Sequence, residues 1–339
     1  VGVTIADIAA AASVSKSTVS RAFARPGSVN DDTRRRIFAV ASQLGYSPPG
    51  PSPASRPASS GQIGLFIPDI ANPFYPPLIK AVQIAGRRLG LSLVIIGGDD
   101  DPHTDDQEIH RVAPDVDGML ILGPRLTAEQ LRAVNEITPV VLINHEADGI
   151  PTVAMWSTEA VYQAIRHLAA LGHRQLAYLA VRDDNHTNRF RQRAVLAAAA
   201  ELGCDVTVIG PGEPSFLAGV QAGDLVLATP VTAVVAFNGL IAFGCLHRLT
   251  DRGVEVGKQI SLVSLDDTWI TSAARPSLTS VQTPYEATGT IAVRVLHELV
   301  MTGRSPAGTT FLPAELIVRS STGPAPAGGS PALRTAANT

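Results

Sequence analysis

The chain has 339 residues, too many for one small core and enough for about two domains with a small appendage. Hydrophobic residues make up 45% and charged residues 17%, with a net charge of −3, which describes a globular, soluble chain and excludes overall disorder. No apolar run reaches the ~20 residues a membrane helix needs, and the segment VGVTIADIAA lacks a basic stretch followed by an apolar one, so no membrane span and no Sec export are expected and the expected location is the cytoplasm.

The net charge hides an asymmetry. Residues 1 to 60 hold Lys16, Arg21, Arg25, Arg34, Arg35, Arg36 and Arg56 against Asp7, Asp31 and Asp32, a surplus of four positive charges, so the remainder carries −7. A basic head on an acidic body suits a chain whose head alone meets phosphate, although a surplus of this size also fits a solvated surface.

In chain order, Thr4 and Asp7 form a capping box, and Ile5, Ile8, Ala9 and Ala12 recur at helical spacing, so a short amphipathic helix begins at Ile5. Ser15 can cap a second helix from Lys16 to about Ala24. There Val19 and Phe23 turn inward and Lys16, Ser17, Ser20 and Arg21 face out. Arg25-Pro26-Gly27 ends it. Asn30, Asp31 and Asp32 start a third helix with an inward stripe of Ile37, Val40, Ala41 and Leu44, closed by Gly45. Three short helices, the first two joined by a tight turn, make a helix-turn-helix head over residues 1–46. Residues 47–62, SPPGPSPASRPASSGQ, carry five prolines and read as a linker.

From Ile63 apolar runs alternate with amphipathic stretches. The runs are Ile63 to Ile67, Leu91 to Ile96, Gly118 to Leu122, Val140 to Ile143, Leu176 to Val181, Val206 to Ile209, Ala233 to Phe237 and Ile260 to Leu265. Helical stretches fall near Pro76 to Leu89, Ala128 to Ile137, Glu159 to Leu171, Arg189 to Leu202, Leu240 to Arg252 and Tyr285 to Met301. Such alternation means parallel sheets with right-handed crossovers, and residues 63–323 are too many for one sheet, so two doubly wound lobes are expected, with a ligand cleft at the carboxyl ends of the strands. Residues 324–339 are small and polar and read as a disordered tail without a leucine heptad.

Segments along the chain resemble the lactose-repressor/galactose-repressor (LacI/GalR) family of bacterial transcription regulators. The first is Val3 to Tyr46, VTIADIAAAASVSKSTVSRAFARPGSVNDDTRRRIFAVASQLGY. Further matches are IGLFIPDIANPFY from Ile63, DGMLIL from Asp117, HLAALGHRQLAYL from His167, SLVSLDDT from Ser261, PSLTSVQTP from Pro276 and LPAELIVRSST from Leu312. The resemblance implies an all-α helix-turn-helix head on an α/β core of two doubly wound parallel-sheet lobes of the periplasmic-binding-protein-like type. It also implies a homodimer on a near-palindromic double-stranded operator, a small-molecule effector such as a sugar or polyol, and repression as the mode of control. On that reading the second helix enters the major groove, where Lys16, Ser17 and Arg21 meet base edges and arginine is the side chain best able to fork onto guanine. Thr4, Ser15, Thr18 and Ser20 reach phosphates, with capping an equal alternative for Thr18.

The linker departs from the family pattern. Ser55 stands where the family has a leucine that wedges into the minor groove, and Pro51 and Pro53 disfavour the family's hinge helix. Arg56 is still expected to reach a phosphate or a narrow groove. The resemblance also implies cleft residues: Asp69, Asn72, Phe74 and Tyr75 after the first strand, Asn144, Arg191 (with Arg189 or Arg193 on the same helix start as alternatives), Asn238 and Asp266. An aromatic face with amide, carboxylate and guanidinium groups suits a sugar, although Asn238 and Asp266 also fit plain capping roles. Asn144, Gly239 and Pro214 stand where the family usually has Asp, Asp and an aromatic residue, and Ala194 where it has a glycine after Arg191.

Other constellations carry no chemistry. The acidic run from Asp99 to Glu108 with His103 and His110 matches no metal motif and reads as a solvated loop entering a helix. His173 reads as a helix C-terminal group. No GxSxG, P-loop or GxGxxG anchor is found, so no catalytic residue, cofactor or metal is assigned and an enzyme is not expected. The alternative from another class is a sugar-binding protein without a regulatory role, which shares the two-lobed body and lacks the basic head.

Overall fold

The computed structural model describes residues 4–24, 29–44, 60–98, 101–155, 157–304 and 308–327. The chain forms two compact units, residues 1–58 and 59–339.

In the first unit, helices α1 (Ile5–Ala11), α2 (Lys16–Ala24) and α3 (Asp31–Gln43) surround Ile8, Ala9, Ala12, Val19, Ala22, Ile37 and Ala41. The capping box forms as expected: Thr4 Oγ1 accepts from the Asp7 N–H at 3.4 Å and Asp7 Oδ2 accepts from the Thr4 N–H at 2.8 Å. Ser13 takes a positive φ of 53° in the turn between α1 and α2, and Ser15 Oγ accepts from the Thr18 N–H at 3.1 Å. One expectation fails: Leu44, at the end of the α3 stripe, is 40% exposed rather than inward. The Phe23 side chain, Gly45 and linker residues 47–59, Ser55 and Arg56 among them, lie outside the described residues.

The second unit holds two sheets of six strands. The first lobe runs β1 (Gln62–Ile67), α4 (Tyr75–Arg88), β2 (Ser92–Gly97), α5 (Pro102–Val112), β3 (Gly118–Leu122), α6 (Ala128–Ile137), β4 (Val140–Ile143) and β5 (Thr152–Ala154). The second runs α7 (Thr158–Ala170), β6 (Gln175–Val181), α8 (His186–Glu201), β7 (Asp205–Gly212), α9 (Phe216–Leu227), β8 (Ala233–Ala236), α10 (Gly239–Asp251), β9 (Ser261–Ser264), α11 (Trp269–Ala273) and β10 (Thr279–Val281). The chain then returns to the first lobe with α12 (Tyr285–Thr302) and β11 (Thr309–Phe311), and ends in the second with β12 (Leu316–Ile317). It thus crosses between lobes three times, after β5, β10 and β11.

Strand order is β11-β5-β4-β3-β1-β2 in the first sheet and β12-β10-β9-β8-β6-β7 in the second. All pairings are parallel except β10 with β12. Central strands β3, β4, β8 and β9 are buried at every position, as parallel strands covered by helices on both faces must be. The order reverses at β1 and at β6, and each reversal opens a crevice at the strands' carboxyl ends.

The eight expected strands are all present. Four further strands, β5, β10, β11 and β12, have three residues or fewer and flank the crossovers. Residues 324–327, expected to belong to a disordered tail, are described in the structure. The Ala325 N–H donates to the Leu171 carbonyl at 2.8 Å, and residues 328–339 lie outside the described residues. At the other end, Asp117 accepts from the Ser60 and Gly61 N–H groups, and Gln62 belongs to β1 rather than to the linker. His173 lies just past the end of α7 as expected, its N–H donating to the Leu168 carbonyl at 3.1 Å, and its ring is in addition an internal brace. Its ring is buried and bonds Thr232 Oγ1, Ser261 Oγ and the Gly323 carbonyl, and burial holds its pKa below the usual value. Cys204 and Cys245 are both buried thiols.

Helices α9 and α10 approach so closely that glycine is required. A Cβ on Gly244 would lie 2.1 Å from the Phe216 carbonyl oxygen, and one on Gly219 would lie 2.3 Å from that of Ile241. Gly244→Ala gains helix propensity of about 1 kcal/mol, but a backbone carbonyl cannot swing aside. The clash wins, and a net loss of about 1–3 kcal/mol is expected, read as a lower urea midpoint.

Candidate functional site

On the head, α2 turns Val19 and Ala22 into the core, and this leaves Lys16, Ser17, Ser20 and Arg21 exposed on its opposite side. Arg21 Nε donates back to the Ser17 carbonyl at 3.2 Å, which lays its stem along the helix. Thr4 and Ser15 are exposed and serve as caps. Ser15 Oγ also lies 2.8 Å from both Ser17 Oγ and Thr18 Oγ1, so Thr18, half-buried, belongs to the capping cluster as well. Caps at a helix start and phosphate contacts use the same groups, so these placements suit either role.

In the second unit the two lobes enclose a cleft of about 410 Å³. All eight cleft residues implied by the resemblance line it. From the first lobe come Asp69, Asn72 and Phe74 in the β1–α4 connection, Tyr75 at the start of α4, and Asn144 after β4. From the second come Arg191 on α8, Asn238 at the head of α10, and Asp266 after β9. Phe74 packs edge-on against Tyr75 and Tyr285, with ring centroids 5.2 and 5.3 Å away.

The polar groups are held by the backbone around them. Asn72 Oδ1 accepts from the Phe74 N–H at 3.0 Å, Asn144 Oδ1 from the Met155 N–H at 2.7 Å, and Asn238 Oδ1 from the Ile241 N–H at 2.9 Å. Each oxygen is thereby tied to the fold, and each amide also carries an N–H₂ donor. Asn144 sits in the left-handed region at φ 55°, a conformation asparagine tolerates better than most residues.

Arg191 and Asp266 form the charged centre. The Arg191 side chain is 11% exposed. Its Nη1 donates to the Phe237 carbonyl and lies 3.9 Å from Asp266 Oδ2, and the guanidinium stacks 5.0 Å from the Phe237 ring centre. Asp266 is 4% exposed, and its Oδ1 accepts from the Gly239 N–H at 2.6 Å. Burial pushes its carboxyl above the usual range, against the pull of Arg191. A Cβ on Gly239 would lie 3.1 Å from that same oxygen, so a bulkier side chain here would crowd Asp266.

Other lining residues escaped the sequence reading. Asn185 and Ser215 are the N-caps of α8 and α9 and also line the cleft, a double role that their places before helical stretches could have signalled. Phe66, Asp105, Arg125, Thr187 and Glu213 carried no such signal, whereas Pro214, already noted as standing in place of an aromatic residue, also lines the cleft. Asp105 corrects the expectation of a solvated acidic loop: Asp101 caps α5, while Asp105, one turn on, is buried and faces the cleft. Among the described residues no three acidic, histidine or cysteine groups converge as a metal site would need, and no helix is long and apolar enough to cross a membrane.

Two family models match the chain, bacterial regulatory proteins of the lacI family over residues 4–49 and the periplasmic binding protein-like domain over residues 165–322. The HTH-type transcriptional regulator PtxS of Pseudomonas plecoglossicida is 31% identical over 334 residues, covering 94% of this chain and 96% of that protein. The chain belongs to the lacI family of bacterial regulatory proteins. Solved structures agree. The lac repressor dimer bound to operator and the anti-inducer ONPF superposes with a TM-score of 0.71 at 25% identity, over 95% of this chain and 100% of that one. The transcriptional regulator CelR–cellobiose complex gives 0.69 at 25% identity, over 94% and 99%.

As a lacI-family protein the chain is a DNA-binding regulator rather than an enzyme, and its expected two-part architecture holds. The Arg191–Asp266 centre of this family member gives a direct test. Asp266→Ala removes the acceptor of the buried Gly239 N–H and the counter-charge of Arg191. It is expected to lower stability by about 1–3 kcal/mol, read as a drop in urea midpoint, whereas an unchanged midpoint would show that the pair is not structural.

Proposed function

We propose that this chain is a dimeric, effector-responsive repressor that reads a near-palindromic operator with α2 and senses a neutral sugar or polyol in the interlobe cleft. The observation that carries this reading is the pairing of an exposed Lys16–Arg21 helix face with a cleft that gathers aromatic rings, amide donors and one arginine. Phe74 and Tyr75 offer an apolar wall for a sugar ring. The amide groups of Asn72, Asn144 and Asn238 donate to hydroxyl oxygens, Arg191 donates a fork, and Asp266 accepts.

Acidic residues Asp69, Asp105, Glu213 and Asp266 outnumber the arginines of the lining, Arg125 and Arg191, which favours a neutral ligand over a phosphorylated one. Ligand in the cleft changes how the lobes meet, and the paired heads gain or lose the spacing that fits the operator. Relatives whose structures hold an operator or cellobiose support both halves of the reading. A regulator of this kind works where the chromosome is, in the cytoplasm.

Arg21→Ala is expected to weaken binding to a selected operator by about 1–3 kcal/mol and to relax base preference. Wild-type affinity in a gel-shift titration would remove α2 from the interface. Arg191→Ala is expected to keep operator affinity and to lose the thermal shift given by any sugar or polyol that stabilises the wild type. A variant that still shifts normally would place the ligand elsewhere.

A further inference from the structure

On the rim of the cleft two histidines meet across the lobe boundary. His145 follows Asn144 at the carboxyl end of β4 in the first lobe, and His186 is the first residue of α8 in the second. Their ring centres are 4.8 Å apart, with planes inclined by 44°. His145 is 8% exposed, and its Nδ1 has no hydrogen-bond partner. An imidazolium there would bury a charge with no acceptor for one of its protons. The neighbouring charges do not help: Arg189 and Arg193 on α8 are cations, Glu146 accepts from Thr309 Oγ1 at 2.7 Å, and Asp184 is engaged by Arg125 and Arg182. An ion pair on the same rim, Arg125 Nη1 to Asp184 Oδ2 at 3.6 Å, also joins the two lobes.

We propose that His145 and His186 form a proton-operated latch: the lobes stay joined at this rim while both rings are neutral, and acidification parts them and weakens effector binding. This rests on the reading of the cleft as the effector site, but its decisive test needs no effector.

The direction follows from linkage. In the joined state burial, then His186 and Arg189, lower the His145 pKa to about 4, and burial followed by Arg189 lowers that of His186. When the lobes part, both rings meet water and return towards about 6.5. The parted state then takes up protons that the joined state refuses. Joining is therefore favoured in full above pH about 6.5 and loses ground as pH falls from there towards 4, by roughly tenfold for His145 alone between pH 7.5 and 5.5.

The test is hydrogen–deuterium exchange on the full chain without ligand at pH 7.5 and 5.5, corrected for the intrinsic pH dependence of exchange. Backbone amides of residues 142–148 and 182–190 are expected to exchange several-fold faster at pH 5.5 in the wild type. They are expected to change little in a His145→Phe, His186→Phe double variant, which keeps two stacked rings and removes their protons. Equal protection of the wild type at both pH values, or the same rise in the double variant, would overturn the latch. Exchange at the imidazole C2 position of the wild type gives a readout that needs no variant: His145 is expected to titrate near 4, and an ordinary value would refute the proposal. Any sugar or polyol found by thermal shift is expected to bind more weakly at pH 5.5 than at pH 7.5. A pH response with no such ligand would leave the latch standing and count against the effector reading alone.

Discussion

Parallel strand pairing is the constraint from which the cleft follows. In a doubly wound sheet every strand delivers its carboxyl end to the same edge, and every following helix begins there with unsatisfied N–H groups. The chain crosses three times between its lobes, which turns two such edges towards each other across one cleft. The groups needed to finish the helices are therefore the groups that line the site. Asn185, Ser215 and Asn238 cap α8, α9 and α10, and all three face the cleft. The lining of the cleft is built from structural necessities rather than added to them.

The same arrangement explains how a charged centre survives in a largely apolar surround. Asp266 lies against the first turn of α10, where the Gly239 N–H and the positive end of the helix offset part of its desolvation. Arg191 reaches it from α8 and is steadied by the Phe237 ring and carbonyl. The 3.9 Å separation is long for a tight ion pair, so each partner keeps capacity for a ligand hydroxyl. A hydrophobic replacement would cost the fold less, as buried ion pairs are weak evidence of stability.

Much of this was legible from residue types and spacing. The head showed in its capping box, its Ser15 cap and its outward Lys16–Arg21 face, and the lobes in eight apolar runs spaced by helical stretches. The fold-level outline followed because parallel strands buried on both faces leave a plain signal. What escaped was short or context-dependent. Strands β5, β10, β11 and β12 are too brief for any period to register, and they are set by the crossovers they flank. Helix α9, FLAGVQAGDLVL, hides behind Gly219 and Gly223, which serve contact with α10 rather than helix formation. Asp105 read as solvated because its neighbours are acidic, yet its place one turn into α5 takes it into the cleft. Leu44 fitted the helical stripe, but the small head core closes before reaching it. The gathering of His145 with His186 depends on lobe packing and has no local sequence signal.

A basic three-helix head reads duplex sequence under the control of a two-lobed sensor. Repeated selection of a random-sequence duplex library by the full chain at moderate salt tests this most directly. Enrichment of a near-palindromic motif, with half-sites about one helical turn apart, is the predicted result. A final pool with the base composition of the starting library would contradict it.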